Sequence, residues 1–325
     1  MSISRRNAIM TLSALPLAGA GSAWAQETFP SKPITIIVPA SGGTSIDTTA
    51  RFVADLLGAR LGESVIVENR PGSGGLLGYL AAARAPADGY TLILTGIPLY
   101  LLPLFHDSTP PPFDPVTDFA AVARVARVPF AIVVAADAPY QTIADLIDAM
   151  KAAPGQLTYS SQGVGSSAHL CSVILNDMTG AEALHVGYKE TTTAMTDVAA
   201  GRVTFTCQTS TGVLPWVQGG RMRALAVTGT DRWKSLPDVP TAQEAGIAGF
   251  EVSSQLDFMA PAGTPPDVIA TLSQYLVEIA QTPEFGQFCD DQLLTREVLD
   301  AAALGPQISQ EAARWADVAR LTRAG

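Results

Sequence analysis

The stretch Ile34-Thr35-Ile36-Ile37-Val38-Pro39-Ala40-Ser41-Gly42-Gly43-Thr44-Ser45-Ile46-Asp47 decides the fold. Residues 34–38 form an apolar, largely β-branched run, the pattern of a strand buried on both faces of a parallel sheet. Pro39 to Gly43 break it. Ala50, Val53, Leu57 and Leu61 then recur at three- and four-residue spacing, one apolar stripe of a helix, and Gly62 stops it. Thr44-x-x-Asp47 has the form of a capping box at the helix start, with Asp in place of the usual Glu. A strand that feeds a glycine loop and then a helix is the opening unit of an α/β layered fold.

The pattern continues outward from this stretch. Residues 65–67 read as the next strand, Pro71 to Gly75 as a turn, 76–83 as a helix, Asp88-Gly89 as a turn and 90–94 as a strand, giving β-α-β-α-β. After the loop marked by Pro110-Pro111-Pro112, strands are expected at 120–125 and 130–134. Thr142-x-x-Asp145 caps a helix to about Ala152, 157–160 is a strand, and 169–178 and 191–200 are helical. Strands follow at 203–207 and 224–228, and Thr241-x-x-Glu244 caps a short helix ended by Gly246. Residues 250–259 are extended, Thr264-Pro265 opens a helix to about Gln281, and 301–321 is largely helical. The alternation restarts near residue 128, which predicts a second α/β unit.

Two loops carry the functional argument. The first runs from Ala40 to Asp47 and offers Ser41, Gly42, Gly43, Thr44 and Ser45. The second runs from Ser160 to Ser167 and offers Ser161, Gly163, Val164, Gly165, Ser166 and Ser167. Each lies between a strand and a helix N-terminus, where free backbone N–H groups and short hydroxyls meet the positive end of the helix dipole. That is an anion site needing no Lys or Arg. In open α/β sheets ligands lie beyond the carboxyl ends of strands, so two such loops can face each other across a cleft. Taken singly, each loop also reads as a tight turn with a capped helix. Asp47 keeps two readings, a ligand contact for an amine or a cap for its own helix.

The chain has 325 residues, 47% of them hydrophobic and 15% charged, which supplies real cores and excludes a disordered chain. Residues 1–25 read as a secretory leader: Arg5-Arg6, an apolar run at 8–20, then Ala23-Trp24-Ala25. The run is shorter than the roughly 20 residues a membrane helix needs. Ser4-Arg5-Arg6-Asn7 resembles a twin-arginine signal with Ala8 where Phe is usual, so the Sec and twin-arginine routes both stay open. The whole chain carries 20 basic and 30 acidic residues, net −10; loss of Arg5 and Arg6 with the leader makes this −12. Such a surface repels phosphate backbones, which excludes nucleic acid as a partner. It leaves room for a small anion held by backbone N–H groups. Cys171, Cys207 and Cys289 have no CxxC spacing. Export permits one disulfide, but we read the three as buried free thiols packing as small hydrophobes.

Catalytic patterns are sparse. The histidines are His106, His169 and His185, and no zinc-protease, nucleophile-elbow or P-loop motif occurs. No metal and no cofactor is expected. Gly163-x-Gly165-x-x-Ala168 matches a dinucleotide fingerprint, but Glu182, the acid nearest the ribose offset, is not clearly at a strand end, and we set it aside. His106-Asp107 falls in the proline-rich loop and reads as solvated. An exported hydrolase using Ser166 or Ser167 with His169 is the alternative function.

Several longer motifs resemble the solute receptors of tripartite tricarboxylate transporters, the Bug family. They are Phe29-Pro30-Ser31-Lys32-Pro33-Ile34, Val67-Glu68-Asn69-Arg70-Pro71-Gly72-Ser73-Gly74-Gly75, Asp88-Gly89-Tyr90-Thr91-Leu92 and Ser166-x-x-His169-Leu170. Later come Arg223-Ala224-Leu225-Ala226-Val227-Thr228, Leu236-Pro237-Asp238-Val239-Pro240-Thr241 and Ala260-Pro261-Ala262-Gly263-Thr264-Pro265. The resemblance spans nearly all of the chain after the leader. It implies a type II periplasmic binding protein: two α/β domains around a ligand cleft, with a hinge that the chain crosses twice. Domain 1 would be 27–127 plus 251–325 and domain 2 would be 128–250. It further implies that the two loops, with Tyr188, Gln208 and Thr209, grip a small carboxylate. Delivery would be to membrane transporter subunits, by a periplasmic monomer, with a sensor-kinase partner as a variant of the same fold.

This chain departs from the family at the loop. Where the family usually runs Ala-Gly-Gly-Gly-Thr-Asp, Gly43 is here followed by Thr44, Ser45 and Ile46. Gln208 stands where the family often has Asp, which removes a negative charge near the cleft and implies a ligand with no ammonium group there, or one with an extra acceptor.

Overall fold

A computed structural model describes residues 29–105, 111–164 and 166–324. The leader at 1–25, His106-Asp107 and Gly165 lie outside the described residues.

Alternation within the first strand, β1 (Ile34–Val38), sets the layering, because Ile34, Ile36 and Val38 pack into one core and Ile37 into another. The chain continues through α1 (Ser45–Leu61), β2 (Val65–Asn69), α2 (Leu76–Ala83), β3 (Thr91–Thr95) and α3 (Pro98–Phe105). Helix α1 buries Ala50, Val53 and Leu57, the stripe read from the sequence, and ends on Gly62 at φ 71°. Left-handed backbone there costs glycine nothing. β1 pairs in parallel with β2 on one side and β3 on the other.

Next is β4 (Phe119–Ala135), one strand of 17 residues where the sequence suggested two. Arg124 interrupts the first apolar run, and the gap before the second holds Arg127 and Pro129. Arg124 is nonetheless fully buried, because it meets Asp257 in a two-pronged ion pair at 2.7 and 3.0 Å. A partner 133 residues away cannot be read from local periodicity. Arg127 is likewise engaged, by Glu297 and by Ser253 Oγ at 3.1 Å.

The second half runs α4 (Ile143–Ala152), β5 (Leu157–Ser161), α5 (Ser167–Thr179), β6 (Ala183–Gly187), α6 (Thr191–Ala199), β7 (Phe205–Thr209), α7 (Ser210–Gln218) and β8 (Met222–Val227). Thr142 and Asp145 close a full capping box on α4. Thr241 and Glu244 make the same reciprocal bonds, at 3.1 and 2.8 Å, but 242–246 stays a set of turns and does not become the expected helix. The chain returns through β9 (Ser253–Pro261), α8 (Pro266–Gln281), α9 (Pro283–Asp291), β10 (Thr295–Asp300) and α10 (Ala301–Ala324).

β4 belongs to two sheets. Its first part pairs with β9 from Phe119 to Pro129, and also with β10. Its last part pairs with β7 from Phe130 to Val134, and with β8. The order is β2-β1-β3-β9-β4-β7-β5-β6, with β10 and β8 also on β4. The architecture is therefore a two-domain α/β fold. One core lies under α1 and α8, and a smaller one under α6 and α7. The largest is continuous across both sheets, from Tyr79 and Trp315 to Leu146 and Leu175.

The cysteines correct the sequence reading. Cys171 on α5 and Cys207 on β7 form a disulfide, and only Cys289 is a buried free thiol. The alternation of β7 aims Cys207 at α5, a placement invisible to spacing alone.

Candidate functional site

The loop after β1 is held from beneath. Gly43 has φ 81°, and its N–H donates to Asp47 Oδ2 at 2.8 Å. The other carboxylate oxygen accepts from Asn69 Nδ2 at 2.8 Å, and Asn69 Nδ2 also reaches Ala40 O at 3.1 Å. Arg51 Nε donates to Asp47 Oδ2 at 3.2 Å. Asp47 is only 3% exposed. Burial pushes its pKa up, but the bonds from Arg51, Gly43 and Asn69 with the Arg51 charge outweigh it and hold the carboxyl below its usual range. Thr44 is the N-cap, its hydroxyl accepting from Asp47 N at 3.4 Å. The capping box is thus displaced by one residue, with the carboxylate on Gly43 and not on Thr44. Every strong acceptor direction of Asp47 is spent inside the protein.

The loop after β5 is held by neutral groups. Ser161 is buried, and its Oγ shares a 2.6 Å hydrogen bond with His185 Nε2 and accepts from Gly163 N at 3.1 Å. The His185 ring lies 4.6 Å from that of His169 and 5.2 Å from that of Tyr159. Burial lowers the His185 pKa, and burial together with His185 lowers that of His169 to about 4. Both rings are neutral at pH 7. Ser166 caps α5, accepting from the His169 backbone N at 3.3 Å. Ser166 therefore meets the main chain of His169 while the His169 ring packs against His185. Among the described residues a serine–histidine pair forms between Ser161 and His185, with Ser161 fully covered.

Sequence reasoning missed a third helix terminus. α7 begins directly at the end of β7, and no side chain caps it. Thr211 Oγ1 lies 3.1 Å from Ser45 Oγ, a direct bond between the two halves of the molecule. The run Thr209-Ser210-Thr211 before Gly212 was the available signal. Gly212 and Pro215 hid the helix, because both are poor helix formers.

These three termini border a cavity of about 530 Å³. Of the residues singled out in the sequence, Gly43, Thr44, Ser45, Ser167 and Thr209 line it. Ser166 and Val164 line an adjoining cavity of about 390 Å³ that shares Pro98 and Ser167 with the first. Ser41 and Gly42 are exposed on the loop, Asp47 and Ser161 lie beneath their loops, and Gly163 shapes the second loop at φ 108°. Tyr188 is directed elsewhere: its hydroxyl donates to Asp197 Oδ2 at 2.7 Å, and only its N–H, to Ser161 O at 2.8 Å, touches the loop. Gln208 is buried, its Oε1 accepting from Thr209 N at 3.3 Å and its Nε2 without a protein partner. The unforeseen lining includes Tyr79, Val128, Phe130, Ser254, Leu256 and Gln292. Among the described residues, neither cavity is lined by Asp, Glu, Lys, Arg or His.

The dinucleotide match fails on geometry. Glu182 precedes β6 and so lies at the wrong end of that strand for a ribose. Among the described residues no group of His, Cys, Asp and Glu could hold a metal ion, and no helix is long and apolar enough to cross a membrane.

The comparisons with known proteins agree with one another. Residues 49–321 match the model of the tripartite tricarboxylate transporter family receptor. Protein BugT of Bordetella pertussis is 33% identical over 313 residues, 94% of each chain. The structure of the periplasmic binding protein BugD superposes with a TM-score of 0.73 at 31% identity, covering 89% of this chain and 97% of that one. That of R. palustris Rpa4515 with adipate superposes with a TM-score of 0.78 at 31% identity, covering 90% and 98%.

Proposed function

The chain belongs to the tripartite tricarboxylate transporter family of receptors, and from that premise we propose that it captures a small carboxylate in the periplasm by closing two lobes and hands it to membrane transporter subunits. The observation that carries this reading is the meeting of three helix N-termini, those of α1, α5 and α7, on one cavity without charged side chains. Their unsatisfied N–H groups and dipoles favour an anion, and their hydroxyls supply further donors. An acidic protein can therefore bind an anion with no basic patch. The adipate in Rpa4515 supports the ligand class.

Closure would bend the molecule where β4 leaves β9 at Pro129 and takes up β7 at Phe130. We assign the lobes accordingly, 27–127 plus 251–325 against 128–250. The Ser45–Thr211 bond joins the two lips of the cleft. We read the protein as a monomeric receptor and not an enzyme, because the groups around the cavity can hold and orient a ligand but offer no acid–base pair to it.

The test is native mass spectrometry of the protein as purified, followed by thermal melts with a panel of carboxylates and esters. A ligand that binds only the folded state raises the melting temperature. Stabilisation by a carboxylate without product formation is the expected result. Turnover of an ester, or indifference to every acid, would overturn the reading.

A further inference from the structure

Resting on the receptor reading above, we propose that the ligand carries a single carboxylate on an extended, uncharged, apolar body. Ser45, Ser167 and Thr211 border one cavity, so the three helix ends surround one place for a head group. The rest of the wall is largely apolar: Ile46, Tyr79, Val128, Phe130 and Leu256 in the first cavity, with Ser254 and Gln292 among them, then Leu101, Leu102 and Phe105 of α3 in the second. The two join at Pro98 and Ser167, which gives a body room to run from the helix ends along α3.

The wall also selects by what it withholds. An ammonium group buried without a counter-charge is costly. The Asp47 carboxylate is already taken by Gly43, Asn69 and Arg51. Gln208 stands where the family often has an acid; its Oε1 accepts from Thr209 N, and its Nε2 is a neutral donor without a protein partner. The phenol of Tyr79 is held neutral, since burial pushes its pKa above the usual tyrosine range. A second carboxylate along α3 would meet only neutral donors, Gln162 Nε2 and the Ser166 and Ser167 hydroxyls, and no cation. Hydroxylated tricarboxylates and amino acids fit this lining poorly.

The experiment is isothermal titration of the full exported chain with straight-chain monocarboxylates from butanoate to decanoate, together with hexanedioate, citrate and glutamate. Each added methylene should tighten binding about fourfold until the cavity is full. Hexanedioate should bind more weakly than hexanoate, and citrate and glutamate should give no heat. An affinity flat with chain length, or hexanedioate, citrate or glutamate binding more tightly than hexanoate, would overturn the inference while leaving the receptor reading intact. Silence from every acid would overturn both. Leu102→Gln should flatten the gain with chain length; an unaltered slope would remove α3 from the path of the ligand.

Discussion

The loop after β1 and the loop after β5 do the same thing by opposite means. Each brings a helix N-terminus to the cavity. The first is fastened by a buried charge, the Asp47 carboxylate with Gly43, Asn69 and Arg51 around it. The second is fastened by neutral groups, Ser161 on His185, and by the covalent tie from α5 to β7. A presented helix end therefore does not dictate how it is supported. The support sets how the loop fails, and the two should fail under different conditions.

The covalent tie offers the largest effect. Replacing Cys171 and Cys207 together by Ala should cost about 2–4 kcal/mol in urea unfolding, and should weaken ligand binding through α5 and α7. A variant that melts like the parent would mean that packing alone holds the second loop. Asp47→Ala comes next. It strands Gly43 N–H, Asn69 and Arg51 at once, for a loss of about 3 kcal/mol, with Asp47→Asn less damaging.

Acid should separate the loops more finely. With a folded pKa of about 4 against roughly 6.5 unfolded, His169 takes up its proton first in the unfolded chain. Stability is complete above about pH 6.5 and falls as the pH drops toward 4. Between pH 7 and 5 the loss should be about 2 kcal/mol, and His169→Gln should flatten that slope. Asp47, whose pKa is lowered, contributes stability that is whole above about pH 4 and is lost only as the pH falls through its folded value. A melting curve flat from pH 7 to 5 would erase the contrast. Smallest is Ser45→Ala, which removes one partner of the bond across the cleft and should cost about 1 kcal/mol or less, read best as a faster ligand off-rate.

Much of this was legible in the sequence because it is local. The opening β-α-β-α-β, the stripe of α1, the cap at Thr142 and both glycine loops follow from neighbours within a few turns of chain. What escaped was set by partners far away. Arg127 and Pro129 disguised the unity of β4, because the partners that hold them there, Glu297 and β9, lie far along the chain. β6 reads Ala183-Leu184-His185-Val186-Gly187, too short and mixed to declare itself without β5 beside it. α7 carries Gly212 and Pro215, and its terminus matters only because Ser45 faces it. The roles of Asp47 stayed open because a carboxylate three residues past Thr44 looks alike whether it points down into the loop or out into the cleft.

The sharing of β4 also bears on how the molecule comes apart. Neither sheet has its middle strand without the other, and the largest core runs unbroken beneath both. Residues 128–250 cut out on their own would keep the part of β4 that pairs with β7 and β8 but lose its continuation beside β9, and the remainder would lose the far end of its longest strand. The two halves joined through β4 are thus one unit of cooperativity. Heating should produce a single transition, in which the shared strand β4 is the last thing to open and not the first.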